Sequence, residues 1–132
     1  MVRRVAAVIY LDTHVVVWLY ASGVDAISER AKALIEGTND LRISPMVRLE
    51  LQSLFEIDRV GEPPATVVDS LSAALGLTLC SASFAAVVHE AERYDWTRDP
   101  FDRLIVAQAA LHEASLVTKD QALHARYADA VW

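Results

Sequence analysis

The sequence predicts a three-layer α/β/α fold, a single domain over residues 1–132 with a central parallel sheet of four to five strands. Short β-branched and aliphatic runs, which are typical of strands, alternate along the chain with longer segments that begin or end at helix-capping residues. Strands that alternate with helices form parallel sheets, because each helix crosses one face of the sheet. The length of 132 residues suits one domain and is too short for two.

Five short apolar runs predict the strands. The first is β-branched and uninterrupted, so we interpret it as a buried strand, and we interpret the fifth as an edge strand. In chain order the runs cover residues 5–11, 41–43, 77–80, 116–117 and 130–132. Asp12 follows the first run directly and therefore lies at the carboxyl end of its strand.

Seven helices are predicted between these strands, and several have a recognisable start or stop. The clearest start is Ser44-Pro45, where a capping hydroxyl precedes a proline at the first helical position. Ser28 can cap the second helix, and Gly37 and Gly76 end the second and the fourth. In chain order the helices cover residues 15–20, 28–36, 45–59, 64–75, 84–94, 100–113 and 120–127, the first of them after a short turn.

Cysteine content and hydropathy predict a soluble, cytoplasmic protein. The only cysteine, Cys80, cannot form an intramolecular disulfide and fits a reducing compartment. No run approaches the ~18 uninterrupted apolar residues of a membrane-spanning helix, since Asp12 and His14 interrupt the longest candidate. Two arginines before the first strand resemble the start of a signal peptide, but the apolar run is short and no small-residue cleavage site follows.

Two bulk properties concern the partners of the protein. Hydrophobic residues make up 54% of the chain and the mean hydropathy is +0.26, so we expect part of the apolar surface to be covered by a second copy or another chain. The net charge of −6 works against passive attraction to nucleic acid, which favours a basic surface. This objection weakens if several acids converge on a metal ion that reverses the local potential.

Acidic residues recur where the strands are expected to end. Asp12 follows the first strand and Asp120 follows the fourth, while Asp99 and Asp102 open the sixth helix. Ligands of open parallel sheets bind at the carboxyl ends of the strands, so we expect these side chains to gather there. Each acid also has a purely structural explanation, as a helix N-cap or as a first-turn residue that the helix dipole favours.

Glu50 is harder to explain by structure alone. Met46 and Leu54 lie four residues away on either side and place Glu50 on a largely apolar helix face. Burying an unpaired carboxylate is costly and would favour its neutral form. The nearest basic residues, Arg48 and Arg59, do not have the three- or four-residue spacing that would put them beside it.

Clustered carboxylates predict a metal site. Three or four of them are stable together only if they take up protons or bind hard cations, and oxygen ligands select Mg²⁺ or Mn²⁺. Such an ion helps to deprotonate an attacking water and stabilises charge on a phosphodiester. The pattern therefore indicates a phosphodiesterase. Zinc is not expected, because none of the four histidines forms a ligand-spaced pair with a nearby cysteine.

Four strings of the sequence look like signatures of one family. The most specific is Asp-Pro-Phe-Asp-Arg at residues 99–103, directly before an apolar helix. The other three are Tyr10-Leu11-Asp12-Thr13-His14, the segment from Ser44 to Leu51, and Val117-Thr118-Lys119-Asp120. Nearly end to end, the chain resembles the PIN domain and, within it, the VapC-type toxins of prokaryotic VapBC modules. One departure is Thr97, where many of these toxins carry a histidine.

The resemblance implies a PIN-like fold and a ribonuclease that hydrolyses RNA phosphodiester bonds with Mg²⁺ or Mn²⁺. The implied catalytic and metal-binding acids are Asp12, Glu50, Asp102 and, as a less constant fourth member, Asp120. The implied supporting residues are Asp99, as a helix cap, and Thr13 and Thr118, as capping residues or as groups that orient a carboxylate or a bound water.

The resemblance also implies partners. As the toxin of a type II toxin–antitoxin system, the protein would be inhibited by a cognate VapB-type antitoxin that covers the site, and would form a homodimer and toxin–antitoxin hetero-oligomers. We interpret the basic residues near the acids as solvated salt-bridging residues, although they could contact phosphates: Arg98, Arg103 and Lys119. We interpret the tryptophans as core or interface residues, although they could stack on bases: Trp18, Trp96 and Trp132.

Two functions other than a nuclease share some of these features. A phosphate-accepting receiver domain also binds magnesium at the edge of a parallel sheet, but the late acids here start helices and Glu50 lies in the middle of one. A catalytically inactive PIN-type module that binds RNA or protein is the closer alternative. Every acid that the resemblance requires is present, which favours the enzyme.

Overall fold

A computed structural model describes residues 7–132 of the chain and shows one parallel sheet of five strands. The strands are β1 (Val8–Leu11), β2 (Asp40–Ile43), β3 (Thr78–Leu79), β4 (Ser115–Val117) and β5 (Ala130–Val131). They lie in the order β3-β2-β1-β4-β5, with every neighbouring pair parallel. The predicted three-layer α/β/α class with a central parallel sheet is confirmed.

Within residues 7–132, seven α-helices connect and cover the strands. They are α1 (Thr13–Ser22), α2 (Glu29–Gly37), α3 (Pro45–Glu56), α4 (Pro64–Leu75), α5 (Phe84–Ala91), α6 (Pro100–Leu111) and α7 (Gln121–Arg126). Helices α1, α3 and α4 pack on one another, and α6 packs against α3 and α5. Their starts follow the capping signals of the sequence, since the hydroxyls of Ser28 and Ser44 accept backbone N–H bonds from Ala31 and Met46.

The strand order determines where a site can form. From β1 the chain adds β2 and then β3 on one side, and later adds β4 and β5 on the other side. The order of strands therefore reverses between β1 and β4, and a crevice opens at the carboxyl ends of these two strands. Leu11 at the end of β1 pairs with Val117 at the end of β4. The residues that follow them, Asp12 and Thr118, thus lie side by side.

The main hydrophobic core contains the buried phenol of Tyr10. Tyr10 in the central strand is 1% exposed, and its hydroxyl donates to Sγ of Cys80 at 3.0 Å and lies 3.1 Å from Nδ1 of His112. Burial raises the pKa of the Tyr10 phenol well above its usual range. Cys80 is a buried core residue, as its apolar surroundings in the sequence suggest.

Several element boundaries differ from the sequence prediction. The first helix begins at Thr13 with no intervening turn, and helices α3, α5 and α6 end at Glu56, Ala91 and Leu111, two or three residues before their predicted ends. After α3 and α6 the chain leaves the helix through left-handed residues, Asp58 and Glu113, which stop the helical hydrogen-bond pattern.

The first and third strands are also shorter than predicted, and the fifth ends at Val131, one residue before its predicted end. The first predicted strand began at Val5, which lies outside the described residues together with Ala6, and Ala7 is not part of β1. The third predicted strand, residues 77–80, contracts to β3 because it pairs only with β2, and over two residues.

Among the helices of residues 7–132, none has the length and hydrophobicity that a membrane span requires.

Candidate active site

The four predicted acids come from four different elements and face one region at the carboxyl edge of the sheet. Asp12 follows β1, Glu50 lies in α3, Asp102 lies in the first turn of α6, and Asp120 precedes α7. The charge of each of the other three raises the pKa of Asp102, so all three lie near Asp102. The fold therefore brings together residues that are up to 108 positions apart in the sequence.

Asp12 is the most tightly held of the four. It is 9% exposed and caps α1, with its Oδ1 accepting the backbone N–H of Thr13 at 2.8 Å. Its other oxygen, Oδ2, accepts the hydroxyl of Thr118 at 2.7 Å. Burial raises the pKa of Asp12, whereas the bonds from Thr118 and Thr13 oppose that rise by stabilising the ionised form. Both oxygens are thus fixed in direction.

Thr13 and Thr118, the predicted supporting threonines, are both fully buried. The hydroxyl of Thr13 donates to Oε1 of Glu50 in a short hydrogen bond and so links α1 to α3. The hydroxyl of Thr118 donates to Asp12 and accepts the backbone N–H of Asp120 at 3.1 Å. Each threonine therefore orients a predicted metal-binding acid.

Glu50 is half-buried, as its apolar helix face suggested. Burial raises its pKa most, the bond from Thr13 lowers it, and the charges of Asp12 and Asp99 raise it further. No lysine or arginine of the described residues lies within 4.0 Å of its carboxylate. The carboxylate thus has a hydroxyl partner and like charges around it, which is costly unless a cation or a proton joins it.

Among the four acids, Asp102 has the most strongly raised pKa. Burial raises its pKa, and the charges of Asp99, Asp12, Asp120 and Glu50 raise it further, to about 7. Asp99 contributes the largest of these charge effects. Perturbation of this kind is typical of functional sites, where like charges are held together.

Asp99 and Asp120 act as helix caps in the structure. Asp99 accepts the backbone N–H of Phe101 at 2.9 Å and starts α6, while Asp120 accepts that of Ala122 at 2.8 Å and starts α7. Both side chains are exposed. The capping role predicted for both residues is therefore present. Both also lie near the other acids, since the charges of Asp99 and Asp120 raise the pKa of Asp102.

The donor set fits a divalent cation by its chemistry. All four acids offer hard oxygen ligands, and none forms an ion pair with a described lysine or arginine, so their combined negative charge is available to a cation. As the side chains are placed over residues 7–132, no three His, Cys, Asp or Glu groups lie close enough to hold one ion. Binding would therefore need side-chain rotation, which half-buried Asp102 can supply more readily than Asp12 and Glu50, whose carboxylates accept threonine hydroxyls.

The basic residues near the acids behave differently from the sequence interpretation. Solvated salt bridges were expected for Arg98, Arg103 and Lys119, but within the described chain none of them forms an ion pair. Arg98 and Arg103 donate instead to backbone carbonyls, including those of Asp95 and Ala91. The ammonium of Lys119 lies over two tryptophan rings. Carbonyls and rings are neutral, so the positive charge of all three is uncompensated.

The structure puts His14 beside the acids. It is exposed in the first turn of α1, and its charge would lower the pKa of both Asp12 and Glu50. The signal in the sequence was its position two residues after the strand-end Asp12. His112 and His124 are half-buried and bond backbone carbonyls, in agreement with a packing role.

Comparison with known proteins agrees with the fold. No curated protein matches the sequence significantly, whereas twelve chains of solved structures match. One of these is the crystal structure of VapBC2 from Rickettsia felis bound to a DNA fragment from their promoter, at 22% identity and a TM-score of 0.62, covering 90% of this chain and 92% of that chain. At such low identity the similarity concerns the fold. The family model of the PIN domain matches residues 9–129, from the central strand to the start of the edge strand, and this chain therefore belongs to the PIN domain family.

Proposed function

We propose that this protein is a Mg²⁺- or Mn²⁺-dependent endoribonuclease of the VapC type, the toxin of a type II toxin–antitoxin system. PIN domains are generally nucleases. The observation that carries the proposal is the convergence of Asp12, Glu50, Asp102 and Asp120 at the strand-order reversal, without a basic partner among the described residues. This arrangement suits hydrolysis of a phosphodiester bond.

The proposed roles follow from how each side chain is held. Asp12 and Glu50 are the anchoring ligands, because hydrogen bonds from Thr118 and Thr13 aim their carboxylates. Asp102 and Asp120 complete the donor set from the opposite helices. The bound cation would lower the pKa of a water and offset charge on the phosphate oxygens. Thr13 and Thr118 act as positioning residues that keep the acids from turning away.

The proposed macromolecular partners are RNA, a VapB-type antitoxin and a second copy of the chain. The solved neighbour supports the antitoxin, since that structure is a VapBC complex bound to DNA. A homodimer is supported by the α5 surface, defined by Phe84, Val88 and Leu104. Phe84 is 68% exposed and Val88 is 37% exposed, and Leu104 borders two adjoining apolar clefts, of about 90 and about 250 Å³. Exposed apolar surface of this kind favours a protein interface.

The test is cleavage of a panel of structured RNAs by the purified, antitoxin-free protein in Mg²⁺, Mn²⁺ or EDTA. We expect metal-dependent cleavage that Asp12→Asn and Glu50→Gln both abolish. Asp69→Asn, which removes an exposed acid from α4, is the matched control and should cleave normally. Cleavage that survives EDTA or both substitutions would contradict the proposal, and binding of RNA without cleavage would support the inactive PIN-type module instead.

A further inference from the structure

A second group of residues lies directly beside the carboxylates. A surface cleft of about 460 Å³ opens next to them and is lined by Asp12, His14, Trp18, Lys119, Asp120 and Gln121. Two of these residues belong to the proposed active site, and the other four are not used by it. Its size lies within the range of roughly 300–1,000 Å³ that small-molecule sites occupy. The cleft is therefore large enough for a nucleotide adjacent to the reacting phosphate.

Aromatic rings line one side of this cleft. The rings of Trp18 and Trp132 meet edge to face, with centroids 5.6 Å apart and planes at 66°. The ring of His14 lies 6.1 Å from that of Trp18, one helical turn earlier on α1. Both tryptophans pack against the core, and both stay partly exposed. Trp18 is thus held rigidly from behind while part of its surface reaches the cleft.

Lys119 supplies a positive charge at the same place. Its ammonium lies 5.9 Å from the Trp18 ring and 5.6 Å from the Trp132 ring, the range of a cation–π contact. The residue is exposed and, within the described chain, carries no ion pair. The only other lysine, Lys32, lies elsewhere and is paired with Asp25. Lys119 is therefore a free cation on a flexible stem, one residue from Asp120.

We propose that Trp18, supported by Trp132, and Lys119 form a subsite for an unpaired nucleotide next to the cleaved phosphate. The base stacks on the exposed surface of Trp18, and the Lys119 ammonium moves from the rings to a backbone phosphate. This inference rests on the proposed ribonuclease function and specifies which part of the RNA binds beside the carboxylates. It requires single-stranded RNA, because a base inside a duplex has its faces covered by its neighbours.

The chemistry of the cleft explains how an acidic protein attracts RNA at this point. With a net charge of −6 and several acids nearby, a phosphate needs a local cation, and Lys119 provides one that gives up its contacts with two rings but no ion pair. Stacking adds affinity that does not depend on charge and tolerates any base, since every base has a π-face. The expected preference is therefore for unpaired over paired RNA, with little choice among bases.

The experiment measures binding and cleavage separately. Binding of fluorescent oligouridine is followed by anisotropy in Ca²⁺, which keeps oxygen ligation at the carboxylates, and cleavage of the same RNA is followed in Mg²⁺. We expect Trp18→Leu to weaken oligouridine binding about tenfold and Trp18→Phe much less. Lys119→Met should weaken binding and lower the salt dependence by about one phosphate contact. Binding of duplex RNA should not change in either variant.

Matched controls are available in the chain. Phe55→Leu removes a half-buried ring from α3 outside the cleft, and Lys32→Met removes the other lysine. Both should bind oligouridine like the wild type. Trp18→Phe keeps an aromatic ring against the core. If misfolding weakened binding by Trp18→Leu, thermal unfolding would show an unfolded fraction at the assay temperature, whereas a loss of stacking leaves the variant folded.

The outcomes separate the subsite from the nuclease. If the wild type cleaves with Mg²⁺ but Trp18→Leu and Lys119→Met bind and cleave oligouridine normally, the subsite is overturned and the nuclease stands. If the wild type never cleaves, yet binds oligouridine through Trp18 and Lys119, the subsite stands and the nuclease fails. Normal RNA binding by Trp18→Leu with loss of inhibition by a protein partner would assign the cleft to protein docking and overturn the subsite.

Discussion

At the scale of single residues, hydroxyl groups rather than basic side chains hold the acids in place. Thr13 bonds Glu50, and Thr118 bonds Asp12, while no described lysine or arginine pairs with either acid. A basic partner would have to be displaced before a cation could bind, whereas a hydroxyl leaves the negative charge available. The choice of threonine thus keeps the carboxylates both aimed and charged.

Thr13→Val tests this positioning. Valine conserves the shape of the buried side chain but removes the hydroxyl that directs Glu50. Loss of a supporting group of this kind typically costs about 10- to 100-fold in metal affinity or activity. We expect that loss in Mn²⁺ titration and in cleavage, with recovery in Thr13→Ser, which restores the hydroxyl. Equal Mn²⁺ affinity in the wild type and Thr13→Val would show that the short bond to Glu50 has no positioning role.

Asp102 gives the metal-free protein a defined pH dependence. Its pKa is raised from 3.8 to about 7 by burial and by the neighbouring acids, so the folded state binds a proton more tightly than the unfolded state. The contribution of Asp102 to stability is therefore full below about pH 4 and is lost as the pH rises to about 7, where Asp102 must ionise among like charges.

Asp102→Asn should abolish the loss of stability that accompanies ionisation of Asp102. In EDTA at pH 8 we expect the variant to be more stable than the wild type by about 1 kcal/mol after allowance for solvent screening, or about 3 °C in the midpoint of thermal unfolding. The difference should vanish near pH 4. Asp69→Asn is the control, and an Asp102→Asn curve that follows the wild type at pH 8 would show that the acids do not repel one another.

At the scale of elements, most of the acidic residues of the site lie at the starts of helices. Asp12, Asp99 and Asp120 cap α1, α6 and α7, and Asp102 follows in the first turn of α6. A capping carboxylate is stabilised by backbone N–H groups and the helix dipole, so each acid has a local reason for its position. These local reasons are readable in the sequence, which is why it predicted the starts of the helices better than their ends.

Asp99 separates the capping effect from the charge effect. Asp99→Ala should lower the free energy of unfolding by about 1 kcal/mol, because the N–H of Phe101 loses its acceptor. Asp99→Asn should leave stability nearly unchanged, because asparagine caps equally well. Both variants remove the charge that raises the pKa of Asp102 most, so both should lower that pKa. NMR titration of the carboxyl and thermal unfolding measure the two effects, and destabilisation by Asn equal to that by Ala would refute the capping role.

At the scale of the whole molecule, the distribution of apolar surface bears on assembly. The high hydrophobic content of the sequence suggested a covered surface but not its place, and the structure leaves Phe84 and Val88 of the α5 surface exposed. We predict that the purified chain elutes at twice its mass of 14.5 kDa in light-scattering chromatography.

The α5 surface is tested by a charged substitution. Phe84→Asp should yield a monomer, since an ionised carboxylate would be buried in the interface without a partner. The control is Ile57→Asp, at an apolar side chain that is 63% exposed after α3. A dimer that survives Phe84→Asp and is lost in Ile57→Asp would place the interface at the end of α3 instead.

The sequence by itself determined the class of fold and most of the helix starts, and it supplied the candidate acids, because capping, apolar periodicity and strand-end position act over a few neighbouring residues. Only the tertiary structure decided which side chains those acids contact. The pairing of Leu11 with Val117 brings Thr118 to Asp12, and the packing of α1 on α3 brings Thr13 to Glu50. The same packing sets Lys119 over Trp18 and Trp132, which a sequence cannot reveal, because contacts across more than one hundred residues depend on how the strands are ordered in the sheet.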